Sequence, residues 1–156
     1  MTRSWKAPQD VSAEYRAMLE QRYTSDLQLL LIALPERFRT VVQGMLDHLD
    51  SLSSLPMVLL DRNFGSSNIL VEDKTCHLTG VIDWAEAEIC PLGQNLHLLE
   101  AFTGSLHLRD GWKRYSDYED MQVGFWTTFS NEIGKSSSQK TKTAIETSRV
   151  MGLLRS

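Results

Sequence analysis

Apolar residues recur at helical spacing over two stretches ahead of residue 53. In the first, Tyr15, Met18, Leu19, Tyr23, Leu27, Leu30 and Leu34 follow one another mostly at steps of three or four, which predicts an amphipathic helix from about Ser12 to Leu34. Pro35 ends it, because its ring disfavours a helical residue before it. The same proline suits the first turn of a second helix, where no amide donor is needed. That helix has the cleanest stripe in the chain: Phe38, Val41, Val42, Met45, Leu46, Leu49 and Leu52. Ser51–Pro56 is a turn cluster.

The period then changes. Met57–Leu60 and Ile69–Val71 are short apolar runs on either side of the loop DRNFGSSN, and a third run, Leu78–Ile82, ends in Asp83-Trp84. The second and third runs are rich in branched residues and flank the polar turn Glu72–Thr75, so they predict an antiparallel pair. Pro91 opens a predicted helix through Leu92, Leu96, Leu99 and Phe102, halted by Gly104, and 104–115 reads as a loop. Ser116 and Glu119 have capping-box spacing. The helix behind them carries Met121, Phe125, Phe129 and Ile133, with Gly134 as its C′ residue. SSSQK reads as a linker, and a last helix covers about Thr141–Met151. No internal repeat is visible. The expected fold class is α+β and mostly helical, with a frayed arm over 1–11, one domain over 12–154 and a small antiparallel β insertion.

Composition changes this picture little. The 156 residues suffice for one domain with a core. A formal charge of −4 argues against a nucleic-acid partner, which needs a basic face. The stretch Leu27–Leu34 falls far short of the roughly 20 apolar residues that span a bilayer, so no membrane partner is expected. MTRSWKAPQD lacks an apolar core, so no signal peptide is expected. Cys76 and Cys90 belong to no CxxC pair and read as free, partly buried thiols, which fits a cytoplasmic protein. His48, His77, His97 and His107 have no metal spacing and read as surface or packing residues.

The candidate chemistry lies in 57–86. Gly65-Ser66-Ser67 allows a tight loop, and Asn68 sits where that loop enters a strand. Asp83 ends the next apolar strand. An amide oxygen and a carboxylate suit Mg²⁺, which takes few protein ligands and completes its octahedron with water and phosphate oxygens. On residues alone, the ordinary reading comes first: Asn68 as a turn residue and Asp83 as a cap. Glu86 and Glu88, just beyond, offer an acidic contact to a cationic ligand or a solvated face.

Asp61-Arg62-Asn63-Phe64-Gly65-Ser66-Ser67-Asn68, followed by Gly80-Val81-Ile82-Asp83-Trp84, resembles the catalytic segment of the aminoglycoside phosphotransferase family, which is similar to choline kinases and more distantly to protein kinases. GVIDWAEAEICPLGQNLHLLEAFTG looks like that family's fungal branch. The resemblance is specific over 57–104. It implies the helical C-terminal lobe of a kinase-like fold, with Asn68 and Asp83 carrying the Mg²⁺ ions that bridge the ATP phosphates, and a small-molecule substrate. The family pattern H-G-D-F-x-x-x-N is broken at its start. The catalytic Asp falls on Asn63, whose amide takes no proton at neutral pH, the His on Asp61 and the Gly on Arg62. Asp61, two residues upstream, is the candidate weak surrogate base. No GxG or GxxxxGK occurs, and Lys6 is the only lysine ahead of the loop, so the family's N-terminal β lobe is expected to be absent.

The leading expectation is therefore a pseudoenzyme that keeps its Mg²⁺ and phosphate positions without a catalytic base. The alternatives are an active ATP-dependent kinase completed by a partner and a non-catalytic module whose exposed lobe face binds another protein.

Overall fold

The computed structural model describes residues 6–133 and 138–156, an α+β arrangement in which helices frame three two-stranded antiparallel sheets. Helix α1 spans Ala13–Ala33. Ser12 caps it, its hydroxyl accepting the Tyr15 N–H, which satisfies one of the donors that every helix N-terminus leaves unpaired. Leu19, Tyr23 and Leu27 are the buried positions of its predicted stripe. Met18, on the same stripe, is exposed.

The second predicted helix is three pieces: a 3₁₀ turn Glu36–Phe38, helix α2 over Arg39–Asp47, and a 3₁₀ segment Leu49–Ser54. Polar side chains compete with the helical ladder at its end. The hydroxyls of Ser53 and Ser54 donate to the carbonyls of Asp50 and Ser51. Val42, Met45, Leu49 and Leu52 still reach the core across the break, whereas Phe38 and Val41 are exposed.

Strand β1, Met57–Asp61, pairs antiparallel with β4, Ala87–Pro91, in the register Met57 to Pro91 and Asp61 to Ala87. The 3-residue strand β2, Ile69–Val71, pairs with β3, Leu78–Val81, as the branched runs predict. Pro91 does not open a helix as expected. It closes β4, where its missing N–H costs little at a strand end. The turn behind it holds Gly93 at φ 108°, a conformation no helix contains, and only a 3₁₀ segment, Leu96–Phe102, follows. Residues 104–115 are likewise not a loop. They contain β5, Gly104–His107, hydrogen-bonded to β6, Gly111–Arg114, with Gly111 at φ 75° on the turn.

Helix α3, Tyr118–Ile133, starts with the Met121 N–H on the Asp117 carbonyl, one residue beyond the start that capping-box spacing at Ser116 predicts. Helix α4, Gln139–Leu154, is longer than expected at both ends because Ser138, taken for linker, caps it through the Thr141 N–H. Gly134 and the first two serines of the expected linker lie outside the described residues, as does the start of the arm. The arm's described part is pinned: the Gln9 N–H donates to the Met57 carbonyl at 2.7 Å, and Lys6 pairs with Glu132. Cys90 is buried, but Cys76 is exposed at φ 55° in the β2–β3 turn rather than partly buried.

The core gathers α1, α2, β1, β4, Phe129 of α3 and Ala144, Ile145 and Met151 of α4. Phe125 and Trp126 pack against it, as their stripe predicts. Helix α4 lies along both longer 3₁₀ segments, and Ser148, fully buried on it, donates to the Pro91 carbonyl. No helix among the described residues is long and apolar enough to cross a membrane.

Candidate functional site

Strand β1 delivers Asp61 to the edge of the core. Its partner Ala87 holds the strand end, and the Arg62 N–H continues the ladder onto the Glu86 carbonyl. Asp61 is 2% exposed. One of its carboxylate oxygens accepts the Asn63 N–H at 3.0 Å, and the other is enclosed without a hydrogen-bond partner. Asn63 itself is exposed. Residues two apart in an extended segment point to one side, yet Asp61 and Asn63 are split between interior and surface, because the chain turns after Arg62.

Asn68 closes the other end of the loop. It is buried, and its Nδ2 donates to the Asn63 carbonyl at 2.9 Å while the Ser67 hydroxyl donates to its Oδ1 at 3.3 Å. Its backbone N–H turns back onto Gly65, and its carbonyl accepts the Ile82 N–H at 2.9 Å. The loop end and the end of β3 are therefore stitched together one residue before Asp83. Phe64 packs against Phe102 with the rings tilted and their centroids 5.6 Å apart, which anchors the middle of the loop.

Asp83 is exposed and sits at φ 61°, ψ 58°, the left-handed region that few non-glycine residues adopt, though Asp tolerates it better than most. The Trp84 indole N–H, donating to the Val81 carbonyl at 2.9 Å, closes the turn around it. Among the described residues, no group of three or more His, Cys, Asp and Glu side chains is placed to hold a metal. Any ion here would rest on the Asn68 amide oxygen and the Asp83 carboxylate. That donor set fits Mg²⁺ bound largely through phosphate and water, and does not fit a metal caged by protein alone.

Arg62 and Glu88 have acquired other partners. Glu88 bonds Arg22 of α1 and lies 3.9 Å from Arg62. Glu88 is thus an ion-pair residue joining α1, β4 and the loop, while Glu86 remains exposed. Beside them Cys90 is buried, and its thiol pKa is pushed up to about 12 by burial and by the charge of Glu88. Burial likewise pushes the Tyr23 phenol up to about 12.

A cavity of about 280 Å³ opens next to Asn63, lined by Arg62, Gln94, Asn95, His97 and Arg155 among others. Sequence reading gave Arg62 and His97 no role in a cavity and passed over Gln94, Asn95 and Arg155. The only available signal was the glycine pair Gly93 and Gly152, whose roles depend on contact between distant segments.

Leu70, Val71, Leu78, Ile82 and Trp84, on or beside the β2–β3 hairpin, leave a group of large apolar side chains exposed. No protein-family model, no curated protein and no solved structure matches the chain.

Proposed function

We propose that this chain carries the Mg²⁺ and phosphate half of an aminoglycoside-phosphotransferase-like catalytic site and lacks the proton acceptor that would make it productive. The observation that carries this reading is the stitch in which the Asn68 side chain donates to the Asn63 carbonyl and the Asn68 backbone carbonyl accepts the Ile82 N–H. It sets an amide oxygen at the loop end and a carboxylate, in a strained left-handed conformation, at the end of the adjoining strand. Backbone outliers of this kind persist where the surroundings over-determine them, commonly at ligand clamps.

On this reading Mg²⁺ binds Asn68 and Asp83 and supplies charge neutralisation for a nucleotide's phosphates. The chain's own residues shape the loop. Asp61 holds the Asn63 N–H from inside, which makes it a turn-forming carboxylate and a poor surrogate base. Asn63 presents to the substrate side an amide that cannot accept a proton at neutral pH. Phosphoryl transfer depends on positioning and charge stabilisation. In this chain the described residues ahead of β1 form helices, so they contribute no sheet that covers ATP. Its two unpaired thiols fit the cytoplasm as its setting.

The test is thermal unfolding with Mg-ATP. A ligand at about ten times its Kd stabilises by about 1.4 kcal/mol, which is roughly 3 °C for a chain of this size. The wild type is expected to show that shift with Mg-ATP and to lose it without Mg²⁺. Asp83→Asn, an exposed substitution, should fold normally and lose most of it. No shift at millimolar Mg-ATP removes the binding reading. In a phosphotransfer assay the wild type should be silent, and turnover near about 1 s⁻¹, an ordinary kinase rate, removes the pseudoenzyme reading.

The exposed apolar side chains of the β2–β3 hairpin favour a second reading, a protein partner that covers this face. A two-stranded hairpin is marginal without a covering element, and contiguous apolar patches commonly mark contacts. Wild-type chain should then elute early or retarded on size exclusion, and Leu78→Lys should restore a monomeric position. A wild type that is already monomeric and unretarded goes against this reading.

A further inference from the structure

Helix α1 is apolar on two sides. Leu19, Tyr23 and Leu27 fill the inner one. On the opposite side Met18, Gln21, Ser25, Leu29 and Ile32 recur at steps of three or four, and all are exposed. Met18 is 49% exposed, Leu29 65% and Ile32 84%. The outer face of a surface helix ordinarily carries the charges of that helix. No charged residue stands in this stripe. The two charges beside it are drawn aside, Arg22 onto Glu88 and Asp26 onto Arg155 at 2.9 Å. Its one hydroxyl is satisfied within the helix, Ser25 donating to the Gln21 carbonyl at 3.0 Å. What faces outward is therefore an uncharged strip about 20 Å long, with large apolar side chains at both ends.

The strip is symmetric in spacing about Ser25. Met18 and Ile32 each lie seven residues from it, and Gln21 and Leu29 each lie four. The ends beyond the strip differ in sign. Asp10 and Glu14 are exposed at the start of α1, whereas Arg37 and Arg39 are exposed past its end against one carboxylate, Glu36. Arg16, in the same turn as Glu14, lies on the other side, in a cleft with Leu49 and Leu52.

We infer that this face is the contact between two copies of the chain, packed α1 on α1 in antiparallel sense across a two-fold axis at Ser25. A two-fold contact is self-complementary, so residue i meets j and j meets i. About this axis Met18 meets Ile32, Gln21 meets Leu29, and the small Ser25 meets itself where the helix backbones come closest. The same orientation puts the basic end of each copy beside the acidic end of the other and sets the two helix dipoles head to tail, both favourable. A parallel pair would bring like ends together. A strip about 20 Å long and about 10 Å wide buries well under the roughly 1,200 Å² of a standard interface, so the dimer is a weak one, with a Kd of about 10⁻⁴ M. None of these residues belongs to the Asn68–Asp83 segment or to the β2–β3 hairpin, so this contact is independent of both readings above.

The test is sedimentation equilibrium of the full chain from about 1 µM to about 1 mM. The average mass of the wild type is expected to rise from that of the monomer toward that of the dimer across this range. Ile32→Glu should keep the wild-type urea midpoint and associate at least about tenfold more weakly. Leu78→Lys, on the hairpin, should dimerise as the wild type does. Cross-linking tests the register. With Cys76→Ser as background and Cys90 buried, oxidised Ser25→Cys should give a disulfide dimer, and Glu20→Cys, exposed on another side of the same helix, should not. A wild type that stays monomeric at the highest concentration overturns the proposal. A dimer that Ile32→Glu leaves intact does the same, as does one that Leu78→Lys abolishes, or equal cross-linking from positions 25 and 20.

Discussion

Gly152→Ala is expected to destabilise the protein by more than about 4 kcal/mol, enough to unfold it in a typical single domain. In an exposed helix this change ordinarily stabilises by about 1 kcal/mol, because alanine is the better helix former. Here the new methyl would lie 1.7 Å from the Gln94 carbonyl oxygen and 2.6 Å from its carbon, both backbone atoms. Relief requires α4 to lift off the turn that follows β4. That movement would also break the bond from the buried Ser148 hydroxyl to the Pro91 carbonyl. Gly44 is the control. It lies within α2 with nothing inside 4 Å of an added Cβ, so Gly44→Ala should stabilise by about 0.5–1 kcal/mol. Urea midpoints at equal m-value measure both. A Gly152→Ala midpoint at or above that of wild type means that α4 and the turn are not in contact.

Alkali should unfold the protein over a narrow range, with Cys90 and Tyr23 as the cause. Cys90 moves from 9.0 to about 12 and Tyr23 from 10.0 to about 12, burial being the main reason in both. Both groups are neutral when protonated, and both folded-state values lie above the unfolded ones. Their contribution is therefore fully present below about pH 9 and is lost as pH rises through 12. Each unit is about 1.4 kcal/mol, so Cys90 accounts for about 4 kcal/mol and Tyr23 for about 3 kcal/mol at the top of the window. The Cys90 charge also raises the Tyr23 value. Unfolding near pH 11 should take up close to two hydroxide equivalents per chain. Cys90→Ala leaves a small cavity costing about 1 kcal/mol, yet it should lower the pH slope of stability between pH 10 and 12 to about one proton. An unchanged slope would show that the Cys90 thiolate is no less stable in the folded protein than in the unfolded chain.

Both predictions concern contacts between segments far apart in the chain, and that is where sequence reading stopped. The stripe Leu19, Tyr23 and Leu27 and the branched runs Ile69–Val71 and Leu78–Val81 were legible because helix and strand periods are local properties. Asn68 and Asp83 were legible as candidate ligands because their residue types and positions after a glycine-bearing loop and an apolar run already narrow the chemistry. The second helix was misjudged because serine hydroxyls compete for backbone groups over a few residues, which an apolar stripe does not register. Strand β4 was not foreseen, and its last residue, Pro91, was read as opening a helix, because Glu88-Ile89-Cys90 has no strong period of its own and becomes a strand only by pairing with Leu60-Leu59-Val58.

The split between Asp61 and Asn63 is of the same kind. Alternation in an extended segment puts residues two apart on one side, but the chain leaves the β1–β4 ladder after Arg62. Asp61 ends inside, accepting the Asn63 N–H, and Asn63 ends outside. Glu88 shows the complementary case. Sequence offered it as an acidic contact to a ligand or a solvated group, and its true partners, Arg22 and Arg62, come from a helix and a loop on either side of it.

By itself the sequence determined the α+β class, the main helices, the β2–β3 pair and the residue types at the loop's two ends. These follow from interactions within a few residues, where periodicity, capping and turn chemistry act. Only the tertiary structure decided that Asp61 is enclosed, that Asp83 is held in a left-handed turn beside the stitched loop, and that Gly152 seats α4 against Gln94. It also decided that Arg22 and Arg62 meet on Glu88 beside Cys90. Those outcomes depend on close packing between distant segments, and no local pattern encodes which atoms will meet.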